Sequence, residues 1–449
     1  MSPEPLNCLR NAVYLNGMKI IGIVFLLLLS MNVFTQTPNN LAEIWDKNHI
    51  STMFPSDVRH KDVKAYVEKL NKLGLKVDEV GRSGFGREIY QVEFGHGPLK
   101  VFMWSQMHGD EPTATSALID MLAYFQTHRD TDWVKKIAET LTIRVVPMLN
   151  PDGAEVYKRR NLQDIDINRD AINLRTPEAQ LLKRLRNDWS PAIGFNLHNQ
   201  QELTSVGQTF KQAAISLLVV SGDDAKTLNY GQERNRRIAA EMTVALQNLI
   251  PGHIGRYADE WTPTAFGDNF SAWGTPVILV ETGALYGFDE MYLVKLNFVA
   301  FITALQSITT GSEKLQDPNP YLTLPHNGSG DLVHFLFRRA NIVKQTGISI
   351  ADISVVTARR RASFIAPNTI KSVGLLAGLR GLEEYETSGF KVVQRFGSLQ
   401  PGSFAELCFY RKDRVVDFNS ADLEKSFPPD AIFSSGKWFK GEGVVPKIK

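Results

Sequence analysis

The stretch Lys100–Phe125, KVFMWSQMHGDEPTATSALIDMLAYF, decides the fold. Its first six residues, Lys100 to Ser105, are a short apolar run of the kind a buried strand shows. From Thr113 to His128 the apolar residues Ala117, Leu118, Met121, Leu122 and Phe125 recur at helical spacing. Between strand and helix lies His108-Gly109-Asp110-Glu111. In doubly wound sheets, ligand-binding groups gather at such strand-to-helix turns.

The alternation continues on both sides of this unit. Thr142–Leu149 is a second apolar run, and Pro177–Trp189 reads as a helix with Thr176 as N-cap and proline at its first position. Ile193–Leu197 is strand-like, Glu233–Leu249 an amphipathic helix, Pro276–Val280 a buried strand and Asp289–Ser307 a long helix. Such alternation predicts an α/β fold: a doubly wound, mostly parallel (mixed) sheet with helices on both faces. Gly84 and Gly86 between extended stretches predict an edge hairpin over Arg82–Phe94. The pattern changes after Gly311. Asp317–Gly330 is rich in Pro, Asn and Gly, as linkers are. Short β-type runs follow at Leu332–Arg338, Ile348–Val356, Ser363–Ile365, Phe390–Gln394 and Glu406–Tyr410, predicting a small β-rich C-terminal domain. Arg359-Arg360-Arg361 reads as a solvated turn. The expected division is 1–36 for an N-terminal extension and signal peptide, 37–312 for a catalytic domain, 313–330 for a linker and 331–449 for the β-rich domain.

Composition narrows the function. A chain of 449 residues with 43% hydrophobic and 22% charged residues has ample material for a large core. The formal charge of +2 gives no basis for a nucleic-acid partner. The two cysteines, Cys8 and Cys408, exclude a disulfide framework and a thiolate metal cluster. A metal must therefore be held by His and carboxylates. At the N-terminus Met18-Lys19 precedes the apolar run Ile20–Leu29 and a polar exit, the pattern of a secretory signal. This predicts a mature protein starting near Gln36, exported to a periplasmic or extracellular location, with no stable membrane span after signal removal. A retained membrane anchor is the competing reading.

Four segments carry chemistry. His108 and Glu111 can reach one ion from a single turn, although a helix start with acidic residues at its positive end explains the same pair. His198 follows the apolar run ending at Leu197 and completes a two-His, one-Glu set, a ligand type of catalytic zinc; a hydrogen-bonded loop histidine is the alternative. Glu281 ends the run Val277–Val280, where desolvation raises a carboxyl pKa and suits a general base; a salt-bridged structural glutamate is the alternative. The fourth segment is Asn150-Pro151-Asp152-Gly153 with Arg159, Arg160 and the run Asp166–Asp170. Arginine is the natural bidentate partner of a carboxylate, and an arginine near a metal can polarise a carbonyl under attack.

These motifs, in this order, resemble the carboxypeptidase A-like metallocarboxypeptidases over about Asp57–Thr310. The resemblance implies one Zn2+ held by His108, Glu111 and His198, with Glu281 as catalytic glutamate. It implies that Asn168 and Arg169 grip the terminal carboxylate of a peptide substrate. Asp166 matches the carboxylate that orients a zinc histidine. Arg159 matches the oxyanion-stabilising arginine, with Arg160 as the alternative one position on. Tyr257 stands where the family carries a mobile tyrosine, although Asn199–Asn269 departs from the digestive enzymes. The function implied is an exported zinc metallocarboxypeptidase. A zinc amidohydrolase of the same fold, acting on N-acyl amino acids or cell-wall peptides, and a non-catalytic binding protein are the competing functions.

Overall fold

The computed structural model describes residues 35–358 and 367–448. The signal-like segment, the Arg359–Arg361 turn and the expected strand Ser363–Ile365 lie outside the described residues. The first unit is an eight-stranded mixed sheet. Its strands are β1 (Lys76–Arg82), β2 (Glu88–Gly95), β3 (Leu99–Ser105), β4 (Leu141–Val146), β5 (Ile193–Asn199), β7 (Ile215–Val219), β8 (Ile254–Arg256) and β9 (Val277–Thr282), in spatial order β1-β2-β4-β3-β5-β9-β7-β8. The short β6 (Ser205–Val206) lies apart from it. The central strands β4, β3, β5 and β9 run parallel, while β1–β2, β2–β4 and β7–β9 pair antiparallel. The chain moves from β3 to β4 on one side, then returns past β3 to β5. The winding thus reverses between β3 and β5, the place where such sheets open a ligand crevice.

Alternation within each strand builds two cores. Val101 and Met103 join a large cluster with helices α1 (Thr113–Thr127), α3 (Tyr230–Gln247) and α5 (Glu290–Thr310). Phe102 and Trp104 face the other way, against α2 (Pro177–Trp189) and α4 (Phe266–Ala272). The caps explain where helices begin: Thr176 accepts from the Ala179 amide and Asp289 from the Tyr292 amide. α5 is apolar all round because it is enclosed, with α1 and α3 beside it.

The second unit is a nine-stranded sheet built on a long, bulged strand, β11 (Leu332–Lys344). β12 (Gly347–Thr357) and β13 (Asn368–Gly374) follow on one side, and β15 (Phe390–Gln394), β16 (Leu407–Arg411), β17 (Ala431–Ser434) and β18 (Lys437–Lys440) on the other. β14 (Arg380–Glu386) runs parallel to the first half of β11 and also pairs with β19 (Lys447–Ile448). Phe337, Phe409, Phe433 and Trp438 form its aromatic centre.

The segment expected to be a free linker is built into the first unit. Tyr321 is 1% exposed and its hydroxyl accepts from the Val219 amide. β10 (Asn327–Gly328) pairs with β6. Pro, Asn and Gly serve here as turns around buried contacts rather than as spacers.

Candidate active site

Strand register sets the site. His198 and Glu281 are direct neighbours across the parallel pair β5–β9, and Asn196 and Leu279 are neighbours one repeat deeper. Each stands one position before the ladder ends, and both side chains line the crevice. His108 and Glu111 come from the turn after β3. Gly109 is required there: a Cβ would lie 2.0 Å from the Gly153 carbonyl carbon. Asn150 ties the two loops together, accepting from the Gly153 amide and donating to the carbonyls of Met107 and Arg159. The Asn-Pro-Asp-Gly turn therefore serves as a brace for the His108 loop.

His108, Glu111 and His198 converge, all buried, with their donor atoms within 4.8 Å of one another. Nδ1 of His108 lies 2.7 Å from Oε1 of Glu111, and Nδ1 of His198 lies 2.6 Å from Oε2. The two Nδ1 atoms are 3.2 Å apart. Tetrahedral zinc, with nitrogens at about 2.0–2.1 Å, holds two of them about 3.3 Å apart. Two ring nitrogens facing one another at this distance repel unless a proton or a cation lies between them. The donor set thus fits zinc in both chemistry and spacing.

Asp166 orients this set. Its carboxylate faces Nε2 of His108 at 3.2 Å and accepts from the Arg159 Nε and the Asn168 amide. An Nε2 proton donated to Asp166 leaves Nδ1 of His108 turned to the metal position. Arg159 reaches the same place: its Nη1 is 3.1 Å from Nδ1 of His108 and 3.3 Å from Glu111. Arg160 turns away, donating to the Asp164 carbonyl at the surface, and does not line the cavity.

The electrostatics favour a cation. Burial works against an imidazolium at His108, but Glu111 and Asp166 outweigh it and raise its pKa to about 9. Burial likewise opposes ionisation of Glu111, yet the two histidines hold its carboxyl well below the ordinary range. Glu281 behaves oppositely. Burial first, then the neighbouring Glu111 charge, push it well above the ordinary value. The two carboxyls are split by their surroundings into an anionic ligand and a proton acceptor. Tyr257 is raised to about 12, chiefly by the charge of Glu281, so its hydroxyl keeps its proton.

A cavity of about 890 Å3 collects these groups. Arg159, Asn168, Arg169, Tyr257 and Glu281 all line it with the metal donors. Asn168 is fixed by accepting from the Phe266 amide. The wall also holds residues that carry no sequence motif. Asn196 is buried, and its Oδ1 has no hydrogen-bond partner among the described residues. Burial, opposed by the Thr262 amide, raises Asp268 to about 6. His334 and Thr357 come from the second unit. A polar residue inside an apolar run, Asn196 between Phe195 and Leu197, is the one local signal among these.

The fold and donor set define an α/β protein with a two-His, one-Glu cluster able to hold a metal ion at a topological switch point. Residues 64–173, the segment that carries His108, Glu111, Arg159, Asp166, Asn168 and Arg169, match the zinc carboxypeptidase family. Carboxypeptidase SOL1 of Arabidopsis thaliana is 24% identical over 160 residues, 32% of this chain and 32% of that protein. Carboxypeptidase 2 of Trichophyton tonsurans is 30% identical over 100 residues, 22% of this chain and 18% of that protein. The matched stretch spans less than a third of the length of either relative. A solved metallo-carboxypeptidase from Burkholderia cenocepacia superposes with a TM-score of 0.46 at 14% identity, over 56% of this chain and 69% of that one.

Proposed function

We propose that the protein is a zinc metallocarboxypeptidase, releasing single residues from the free C-terminus of a peptide. The observation that carries this reading is the pairing of a zinc-type donor set with a proton-accepting carboxylate on the adjacent strand position. His108, Glu111 and His198 would hold zinc, which when bound would supply Lewis acidity to the water and the scissile carbonyl. Glu281, poised to bind a proton, takes one from the attacking water and returns it to the leaving amine. Arg159 offers guanidinium N–H groups where oxyanion charge develops. Arg169, with Asn168 beside it, presents the planar cation that a terminal carboxylate pairs with. Tyr257 remains a hydroxyl donor at any working pH. Asp166 holds His108 and Arg159 in register. Export through the signal-like segment at Met18–Leu29 belongs to the same proposal.

The decisive variant is Glu281→Gln, which keeps the shape and removes the base. It is expected to retain one zinc per chain and to lose about two to four orders of magnitude in kcat. Near-normal turnover by the zinc-loaded variant would remove Glu281 from the chemistry.

A further inference from the structure

The catalytic cavity does not belong to the first unit alone. Beside it opens a second cavity of about 490 Å3, and the two share Glu202 and His334. The second cavity is apolar in character. Phe54, Leu285, Tyr286 and Phe288 line it from the first unit, and Leu382 of β14 lines it from the second. Phe54, Tyr286 and Phe288 are 44%, 46% and 55% exposed, a concentration of open aromatic surface beside one cleft.

Chain continuity orients this cavity. Thr113 lies two positions beyond Glu111, Glu202 four beyond His198 and Gly283 two beyond Glu281, and all three line it. Arg159, Asn168 and Arg169 line only the catalytic cavity. The second cavity therefore borders the segments that follow the metal donors and is not lined by the groups assigned to the terminal carboxylate. A C-terminal exopeptidase substrate has one polarity. With its carboxylate at Arg169 and its scissile bond at the metal, the chain towards its N-terminus must leave on the other side.

We infer that the second cavity is the subsite for an apolar side chain upstream of the scissile bond, and that the C-terminal β domain forms one wall of it through His334 and Leu382. This inference rests on the carboxypeptidase reading above and specifies the substrate of that site. The wall is fixed. Nδ1 of His334 accepts from the Thr357 amide, and its Nε2 faces Glu202 at 3.6 Å. Asn327 donates to Gln200 and accepts from Ser216, beside the strand that carries His198. The Tyr286 hydroxyl bonds to Glu383, and Arg380 lies over Phe210 at 4.9 Å. The β domain thus meets the first unit beside the cleft through His334, Glu383 and Arg380, while Phe54, Tyr286 and Phe288 in the second cavity stay open.

The test uses the full mature chain loaded with zinc. Two peptides with free C-termini share their last two residues and differ only upstream, where one has Phe and the other Gly. Covering a Phe ring in this cavity is expected to raise kcat/KM about tenfold over the Gly peptide. Leu382→Asp and, separately, Phe288→Asp are each expected to bring that ratio to one or below. Phe288 is exposed, so its variant keeps the test open if the Leu382 variant does not fold. A wild-type ratio of one, or a preference that survives both replacements, overturns the inference and leaves the exopeptidase reading standing. Failure of the wild type to release a residue from either peptide overturns both.

Discussion

Asp166 joins the two halves of the site, accepting from the Arg159 Nε and the Asn168 amide while facing Nε2 of His108. Asp166→Asn keeps its size but places a neutral group behind the ligand. Zinc affinity is expected to fall about 10–100-fold in competition with a chromophoric chelator, and unchanged affinity would remove Asp166 from this role. Asp268 gives a pH prediction. Its pKa rises from 3.8 to about 6 on folding because burial penalises the carboxylate. Between these values the folded state binds more protons than the unfolded one, so this group's contribution falls as pH rises through the window and its penalty is complete above it. Asp268→Asn, which keeps the acceptor for the Thr262 amide, should raise the melting temperature at pH 7–8 and change it little below pH 4. Equal shifts at both pH values would contradict the assignment. His108, His198 and Glu281 were legible in the sequence because each follows or ends an apolar strand run. Asp268 and His334 were not, because a group brought to the cavity from a loop or a second domain leaves no periodic trace in its own neighbourhood.

The elements that carry the site were legible for the same reason. β3, β5 and β9 are largely buried on both faces and read as mostly apolar runs. β7 is equally buried, yet it lies in the stretch that matched the digestive enzymes least, and no strand was expected there. In the second unit, β13, β14 and β18 are only partly buried, so their alternation is diluted by polar residues on both faces. Loop packing was less visible still: Gly109 and the Asn150 turn touch only in three dimensions. Gly109→Ala is expected to force the His108 loop off the Gly153 backbone, costing about 1–3 kcal/mol and weakening zinc binding together with activity. Wild-type zinc affinity in this variant would show that the close approach does not position His108.

At the scale of the whole molecule, the two units and the change of character near Gly311 were legible in composition. Their joining was not, because the contacts of Glu202 with His334 and of Tyr286 with Glu383 each pair residues far apart in sequence. Three buried donors that attract a cation make the metal a folding ligand as well. At free zinc about 1,000 times the dissociation constant, binding adds about 4 kcal/mol. Chelation should therefore lower the unfolding midpoint reversibly, and a midpoint indifferent to chelator and to added zinc would contradict a structural consequence of the site. The most direct test of the central claim is to incubate the mature, zinc-loaded protein with matched peptides bearing free or amidated C-termini and follow their masses. Stepwise loss of single C-terminal residues from the free peptides alone, stopped by chelator and restored by zinc, is the result predicted. Internal cleavage, equal loss from amidated peptides, or intact free peptides in the presence of stoichiometric zinc would contradict it.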